Sequence, residues 1–178
     1  MGLLQPDFIV ESVLDIDLGA LREKGIAGLL VDIDNTLVAW ADSSIDEAFA
    51  AWIRRAKEEG LRVCIVSNAL EERTTTLARS LGIPAVGRAM KPLKRAFLRG
   101  LALLELPAEE VAVVGDQLFT DIFGGNRLGM LTVLVNPLSR QEFATTKLVR
   151  KIEERVLRRM VKRGRLSSDA IETRLGRK

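Results

Sequence analysis

The chain has 178 residues, 47% of them apolar and 29% charged, which is the composition of one folded domain rather than of a disordered segment. It contains no histidine and one cysteine, which excludes zinc sites built from these residues and the Ser-His-Asp and Cys-His catalytic arrangements. The net charge of +3 hides an asymmetry, because residues 147–178 hold 12 Lys and Arg against 4 Asp and Glu, whereas the first 146 residues hold 15 against 20.

Apolar runs bounded by turn residues alternate with helical patterns along the chain. Strands are predicted at 28–33, 62–66, 85–86, 111–114 and 131–135, and helices at 44–59, 71–81, 92–104 and about 119–128. Such alternation is typical of right-handed crossovers and of a parallel sheet covered on both faces. The single cysteine, Cys64, lies in an apolar run, and we interpret it as a small buried side chain rather than as a reactive thiol.

Targeting signals are not apparent in the sequence. No apolar run approaches the roughly 20 residues that a membrane-spanning helix needs. The first residues, MGLLQPDF, lack the basic flank and the long apolar centre of a secretory signal. We therefore expect a cytoplasmic protein.

Polar residues follow the predicted strands at their carboxyl ends, which is where ligands bind in such sheets. They are Asp32 and Asp34 after the first strand, Ser67 and Asn68 after the second, Lys91 before the helix that leads to the fourth, and Asp116 and Asp121 after the fourth. Aspartates that converge at one edge repel each other, and a divalent cation such as Mg²⁺, which prefers oxygen ligands, removes this repulsion. The hydroxyl, amide and ammonium groups nearby complete a set of donors suited to phosphate.

Four short motifs in this set resemble those of the haloacid dehalogenase-like (HAD) phosphatases. The sequence D-I-D-N-T-L-V at 32–38 matches their first motif, Asp-x-Asp-x-Thr followed by two apolar residues. Ser67 matches the second motif, Lys91 the third, and Asp116 with Asp121 one accepted form of the fourth. All four occur in order and at successive strand ends, and the resemblance covers about residues 26–136.

The resemblance implies a three-layer, Rossmann-like α/β fold and a two-step phosphoryl transfer. Asp32 would attack phosphorus to form an aspartyl-phosphate, and Asp34 would act as general acid and then as general base. The resemblance also implies Mg²⁺ as cofactor, bound by the Asp32 carboxylate, the Asp34 backbone carbonyl and Asp116, with Asp121 a direct or water-mediated supporter. Ser67, the Asn68 backbone amide and Lys91 would bind the phosphoryl oxygens.

Each of these residues also has a purely structural interpretation. Aspartates beside strands often form turns or cap helices, the Ser67-Asn68 pair could be a turn, and Asp121 could simply support its own loop. Lys94, one helical turn after Lys91, could take the place of that lysine.

The spacing of the motifs leaves no room for a cap module. Asp32 and Ser67 are 35 positions apart, and Ser67 and Lys91 are 24 apart, so that each gap is used by one helix and its strand. We therefore expect a capless enzyme with an open mouth. The flanking sequences P-D-F-I-V-E-S-V-L-D-I-D and G-D-Q-L-F-T-D-I-F-G-G-N-R-L-G resemble the bacterial YqeG family of HAD subclass IIIA phosphatases, which is akin to the mitochondrial phosphatases of phosphatidylglycerophosphate.

This second resemblance makes phosphatidylglycerophosphate the leading substrate, with phosphatidylglycerol as product. Two alternatives remain: a phosphatase for a soluble metabolite or nucleotide, and a regulatory or binding protein that uses the HAD fold without turnover. The intact set of motif residues argues against a pure binder, because binding needs no nucleophile and no general acid.

The basic C-terminal segment indicates what the protein could bind. Apolar residues between 148 and 161 recur at helical spacing with Arg and Lys largely between them. Such a helix could lie on the anionic inner face of the membrane, or it could pack its apolar side on the domain. The absence of tyrosine and the few aromatics argue against nucleic acid. We expect a single domain at 1–163, with an N-terminal extension and this C-terminal helix, and a mobile tail at 164–178; the oligomeric state is left open.

Overall fold

Six parallel strands form one sheet in the computed structural model, which describes residues 2–39, 44–139 and 144–175. The strands are β1 (Phe8–Val10), β2 (Gly28–Val31), β3 (Arg62–Val66), β4 (Ala85–Val86), β5 (Val111–Gly115) and β6 (Leu131–Val135). Their order is β1-β6-β5-β2-β3-β4, and every adjacent pair is parallel. The central position of β2, between β5 and β3, brings the carboxyl ends of these three strands together.

Helices connect the strands. They are α1 (Leu18–Glu23), α2 (Glu47–Glu58), α3 (Glu71–Leu81), α4 (Lys94–Leu104), α5 (Phe123–Asn126), α6 (Ala144–Lys162) and α7 (Asp169–Leu175). A π-helical turn, Leu118–Ile122, leads directly into α5. Local signals set several ends: the Asp46 carboxylate accepts a hydrogen bond from the Ala48 amide and so caps α2, and Gly82 ends α3 in the left-handed conformation.

The sheet separates two layers of helices, because successive strand residues point to opposite faces. Leu29 and Val31 of β2 pack with α1, α2 and α3, whereas Leu30 between them packs with α4. A third cluster joins Leu134 of β6 to α6 and α7. The predicted three-layer α/β fold is therefore confirmed. Cys64 is buried, and burial raises the pKa of its thiol to about 12.

The five predicted strands are present, each within two residues of its predicted bounds, but β1 and α1 were not predicted. Both are short, at three and six residues, and β1 lies at the edge of the sheet with Phe8 exposed. A short edge strand lacks the long apolar run on which the prediction of strands depended. The helix predicted at about 119–128 is divided into the π-helical turn and α5.

The structure also differs from the mobile tail that was expected from residue 164. Residues 169–175 form α7, and Ile171 is buried with Leu157 of α6. The helix was missed because it is only seven residues long, too short for a periodic apolar pattern to be recognised. Residues 176–178 of the expected tail lie outside the described residues.

The spacing of the motifs predicts that no cap module is present. In the described part of the chain, one helix, α2, lies between β2 and β3, and one helix, α3, lies between β3 and β4. The carboxyl edge of the sheet is thus left without a covering module in these residues. Within the same residues, no helix is long and apolar enough to cross a membrane.

Candidate active site

The chain turns sharply after β2, which brings two aspartates to the carboxyl edge of the sheet. Asp32 continues the strand, because its amide donates to the carbonyl of Val114 in β5. The carbonyl of Ile33 then accepts hydrogen bonds from the amides of residues 36, 37 and 38, and Asn35 adopts a positive φ of 61°. The buried side chain of Ile33 anchors this turn, so the position of Asp32 is set by the core.

Three buried carboxylates meet at this edge. Asp32, Asp116 and Asp121 each offer an oxygen within 4.8 Å of the others. Asp116 directly follows β5, and Asp121 lies in the π-helical turn beyond it. Gly115 makes the approach of Asp121 possible, because a Cβ at this position would lie 2.3 Å from the Asp121 Cγ.

Lys91 lies between two of these carboxylates. Its Nζ is 2.8 Å from Asp32 Oδ1 and 2.6 Å from Asp121 Oδ1, and its side chain is 2% exposed. Burial alone lowers the pKa of Lys91, but the Asp121 and Asp32 carboxylates raise it above its ordinary value, so the ammonium stays charged. Lys94, the alternative in the sequence, is exposed at the start of α4.

The side chain of Asn68 holds the Lys91 backbone. Its Oδ1 accepts from the Lys91 amide at 2.7 Å, and its Nδ2 donates to the Lys91 carbonyl at 3.2 Å. This contact joins the loops after β3 and β4. The sequence did not predict this role of the Asn68 side chain, because the family resemblance assigns a function only to the Asn68 backbone amide.

Ser67 is buried at the end of β3. Its Oγ accepts from the Ala69 amide at 3.2 Å, and its own backbone amide donates to Val86 of β4. The hydroxyl hydrogen remains available to an acceptor at the same edge of the sheet.

Asp34 lies apart from the three-carboxylate cluster. Its side chain is 32% exposed and is paired with Arg73 on the first turns of α3. The two aspartates of the first motif therefore have different surroundings: one is buried against a lysine, and the other is half-buried beside an arginine. Arg73 was not identified from the sequence, because nothing in the pattern of α3 distinguishes it from a solvated helix residue.

Burial raises the pKa of Asp116 to about 6, although Arg150 opposes this effect, and it raises the pKa of Asp121 to about 7, although Lys91 opposes it. Both carboxyls are fully buried, and ionised carboxylates are costly there without a cation. Asp116 Oδ2 is paired with Arg150 of α6, whereas its Oδ1 is buried without a hydrogen-bond partner.

The donor set fits a hard divalent cation. Each of the three aspartates offers a carboxylate oxygen close to those of the other two. Asp116 also has a buried oxygen, Oδ1, without a hydrogen-bond partner, which a cation would satisfy. Oxygen donors of this kind suit Mg²⁺ rather than a softer metal. Asp32, Asp116 and Asp121 are thus the residues that would hold it, and in this cluster the ion would offset charge that Lys91 and Arg150 offset only in part.

Similarity to known proteins agrees with this geometry. Residues 10–129 match the family described as haloacid dehalogenase-like hydrolase. The chain is 37% identical, over 90% of its length and 94% of the relative's, to a probable phosphatase YqeG of Bacillus subtilis. It is 31% identical to phosphatidylglycerophosphate phosphatase 1 of Arabidopsis thaliana and to that of Chlamydomonas reinhardtii, of whose lengths it spans 49% and 61%.

Solved structures share the fold. An uncharacterised protein of Listeria monocytogenes serotype 4b matches with a TM-score of 0.53 at 20% identity, over 66% of this chain and 85% of that one. The cobalt-bound deoxy-D-mannose-octulosonate 8-phosphate phosphatase of Haemophilus influenzae matches with a TM-score of 0.53 at 14% identity, over 77% and 90%. From the extent of the family match and from the Bacillus relative, the chain belongs to the haloacid dehalogenase-like hydrolases and is a phosphatase of that family, acting on phosphoric monoesters.

Proposed function

We propose that the reaction proceeds in two steps through Asp32. In the first, an Asp32 carboxylate oxygen attacks phosphorus, the bond to the leaving oxygen breaks, and an aspartyl-phosphate forms. In the second, water attacks the same phosphorus, and the Asp32 carboxylate is released with inorganic phosphate. The observation that carries this assignment is the contact of Asp32 with Lys91 inside a buried cluster, because a charged ammonium beside the nucleophile would attract the phosphoryl group.

Asp34 is proposed as the acid and base of the two steps. Its proton would pass to the leaving oxygen in the first step, and it would accept a proton from the attacking water in the second. Asp34 follows Asp32 by two residues and is half-buried at the open edge of the sheet. This position supports the role, since the leaving group must depart towards solvent.

Ser67, the Asn68 amide and Lys91 are proposed to hold the phosphoryl oxygens. The buried hydroxyl of Ser67 and the ammonium of Lys91 lie at the ends of neighbouring strands, and the Asn68 side chain fixes one loop to the other. Mg²⁺, held by the Asp32 carboxylate, the Asp34 carbonyl, Asp116 and, directly or through water, Asp121, would polarise the phosphoryl oxygens and offset their charge.

Phosphatidylglycerophosphate is the proposed substrate. Two relatives carry the name of a phosphatase for this lipid, and the surface around the site supports a lipid substrate. Six of the eleven large apolar side chains that are exposed in the described residues lie on loops at the carboxyl edge of the sheet or on the first turns of α6. They form what we call the apolar rim: Leu70, Met90, Leu93, Leu138, Leu148 and Ile152.

Contacts tie the apolar rim to the site. The loop that carries Leu70 is joined to the loop that carries Met90 by the hydrogen bond from the Arg88 amide to the Ala69 carbonyl. On α6, Leu148 and Ile152 flank Arg150, whose guanidinium contacts Asp116. Exposed apolar groups at an enzyme's mouth favour an acyl chain or a bilayer surface over a hydrated sugar or nucleotide.

Exposed basic residues lie among the rim residues. Arg88 is on the loop that carries Met90, Lys94 is the first residue of α4, and Lys151 and Arg155 are on α6. Cations interleaved with apolar side chains suit an anionic membrane face, where each contributes about 1 kcal/mol. In the second half of α6, Leu157 and Met160 are buried and Val156 and Val161 are partly buried, so peripheral contact is proposed for the first turns of the helix together with the apolar rim.

The reaction and the substrate call for separate experiments. Phosphate release from para-nitrophenyl phosphate with Mg²⁺ should be lost in Asp32→Asn and kept in Asp17→Asn, an exposed helix cap at which asparagine is an equally good residue. Full activity of Asp32→Asn would contradict the assignment of the nucleophile.

Turnover of phosphatidylglycerophosphate in mixed micelles, set against a panel of soluble sugar phosphates and nucleotides, tests the substrate. A preference for the soluble panel would refute the lipid proposal and support a metabolite phosphatase. Leu148→Ser should weaken binding to anionic vesicles, whereas Leu103→Ser, an exposed leucine at the far end of α4, should not.

A further inference from the structure

Charged side chains from the C-terminal helices reach the segment that carries two of the clustered carboxylates. Arg150 and Glu153 are on α6, and Arg174 is on α7. The side chain of Glu153 is 1% exposed and that of Arg174 is 5% exposed. These helices lie beyond residue 129, where the family match ends, and the proposed chemistry assigns no role to them.

Arg174 joins the ends of two strands. One nitrogen of its guanidinium donates to the Asp116 carbonyl at 2.5 Å, and another donates to the carbonyl of Val135. Asp116 follows β5 and Val135 ends β6, and the two strands are neighbours in the sheet. The planar fork of an arginine can satisfy two acceptors at once, which an ammonium on a flexible chain does less well.

Glu153 holds the next part of the same segment. Its Oε1 accepts a hydrogen bond from the Phe119 amide at 3.1 Å, at the start of the turn that leads to Asp121. Its Oε2 lies 4.0 Å from the Arg174 guanidinium, so the two charges face each other. Arg150 completes the set by donating to the Asp116 carbonyl and pairing with the Asp116 carboxylate.

The charged side chains of Glu153 and Arg174 are costly to bury. Burial raises the pKa of Glu153 and lowers the pKa of Arg174, which means that the surroundings disfavour both charges. Apolar contacts also dock α7, since Ile171 packs in the same buried cluster as Leu157. The charged groups instead bond to the main chain of Asp116 and Phe119, and so they fix the segment from which two carboxylates project.

We propose that α6 and α7 complete the metal site, and that Arg174 is the positioning residue that holds Asp116 for the cation. This inference rests on the proposed Mg²⁺ site. Arg174 touches neither the cation nor the substrate; it fixes the backbone of a ligand residue, with Glu153 as its counter-ion. Partners of this kind, one step removed from a metal, change affinity by about 10–100-fold when they are lost.

The test measures metal affinity in the full chain. Mn²⁺ is titrated by electron paramagnetic resonance into the wild type, Arg174→Met, Arg174→Lys and the control Arg158→Met, whose arginine is exposed on α6. We expect the Mn²⁺ dissociation constant to rise at least tenfold in Arg174→Met and severalfold in Arg174→Lys, and to stay within twofold in Arg158→Met. Arg174→Lys keeps the charge and so serves if Arg174→Met does not fold.

Urea unfolding of the same proteins, together with Ile171→Ala, separates positioning from stability. Ile171→Ala removes buried apolar contacts of α7 and should lower the unfolding midpoint without changing the Mn²⁺ affinity of the folded protein. The proposal is refuted if the folded Arg174 variants bind Mn²⁺ as the wild type does, however unstable they are. A wild type that binds no Mn²⁺ or Mg²⁺ would instead overturn the metal site itself, and with it the proposed function.

Discussion

Replacement of Gly115 by alanine should disable the site while leaving the fold in place. Gly115 ends β5, is buried and has no positive φ, so an alanine backbone fits without strain. The added Cβ would lie 2.3 Å from the Asp121 Cγ and 2.4 Å from its Oδ2, whereas ordinary contacts begin at 3.4 Å. Asp121 must therefore move by about 1 Å, because the strand beside it is held by its two neighbours.

The structure gives the size of the effect. A shift of about 1 Å takes Asp121 Oδ1 beyond hydrogen-bond distance of the Lys91 Nζ, which is now 2.6 Å away. Overpacking costs about 1–3 kcal/mol, and weakening a buried ion pair adds to it, so we expect a loss of about 3 kcal/mol in the free energy of unfolding. At about 2–4 °C per kcal/mol, Tm falls by about 6–12 °C. A displacement of this size can reduce the rate by about 100-fold.

Gly28→Ala is the matched control. Its Cβ would lie 2.6 Å from a Leu106 methyl at the opposite end of the sheet, so it also overpacks a strand but leaves the carboxylates in place. Thermal unfolding, Mn²⁺ titration and phosphate release from para-nitrophenyl phosphate are measured for both variants. If Gly115→Ala keeps wild-type kcat/KM and Mn²⁺ affinity, or if Gly28→Ala loses them equally, the steric reasoning is wrong.

Three further outcomes follow from the same contacts. Because burial raises the pKa of Asp116 to about 6 and that of Asp121 to about 7, these groups lower the stability of the metal-free protein as pH rises from their ordinary pKa of 3.8 to these values. The increase in Tm caused by Mg²⁺ should therefore be larger at pH 8 than at pH 5.5. Asn68→Ala should lower kcat/KM about tenfold, since it releases Lys91, as measured by phosphate release. The Cys64 thiol, buried with its pKa raised to about 12, should react with a disulfide reagent only after unfolding.

Each outcome has a result that would count against it. An Mg²⁺-induced Tm shift that is constant between pH 5.5 and 8 would mean that protons do not compete at the cluster. For Asn68, the control is Asn126→Ala, which likewise removes two side-chain hydrogen bonds to the backbone, in this case to the carbonyls of Leu3 and Gln5, away from the site. Equal loss in both variants would point to general destabilisation. Rapid thiol reaction in native conditions would contradict the burial of Cys64.

Much of the fold follows from local patterns. The apolar runs of β2, β5 and β6 are long enough to identify central strands. Their alternation with helices predicted a parallel sheet, but not the order of the strands within it. The motif residues follow the carboxyl ends of predicted parallel strands, so the sequence also predicted that they lie at one edge of the sheet. Short elements, namely β1, α1 and α7, carried no such pattern and were not predicted.

The amino-acid sequence by itself determined the fold class, the family and the residue types available for chemistry, because strand-end position and spacing are local properties of a chain. Only the tertiary structure decided which charges meet. It placed Lys91 rather than Lys94 between Asp32 and Asp121, paired Asp34 with Arg73, and brought Arg174 from the far end of the chain to the Asp116 carbonyl. Such contacts join residues 30 to 59 positions apart, and their energy depends on burial, which no local pattern specifies.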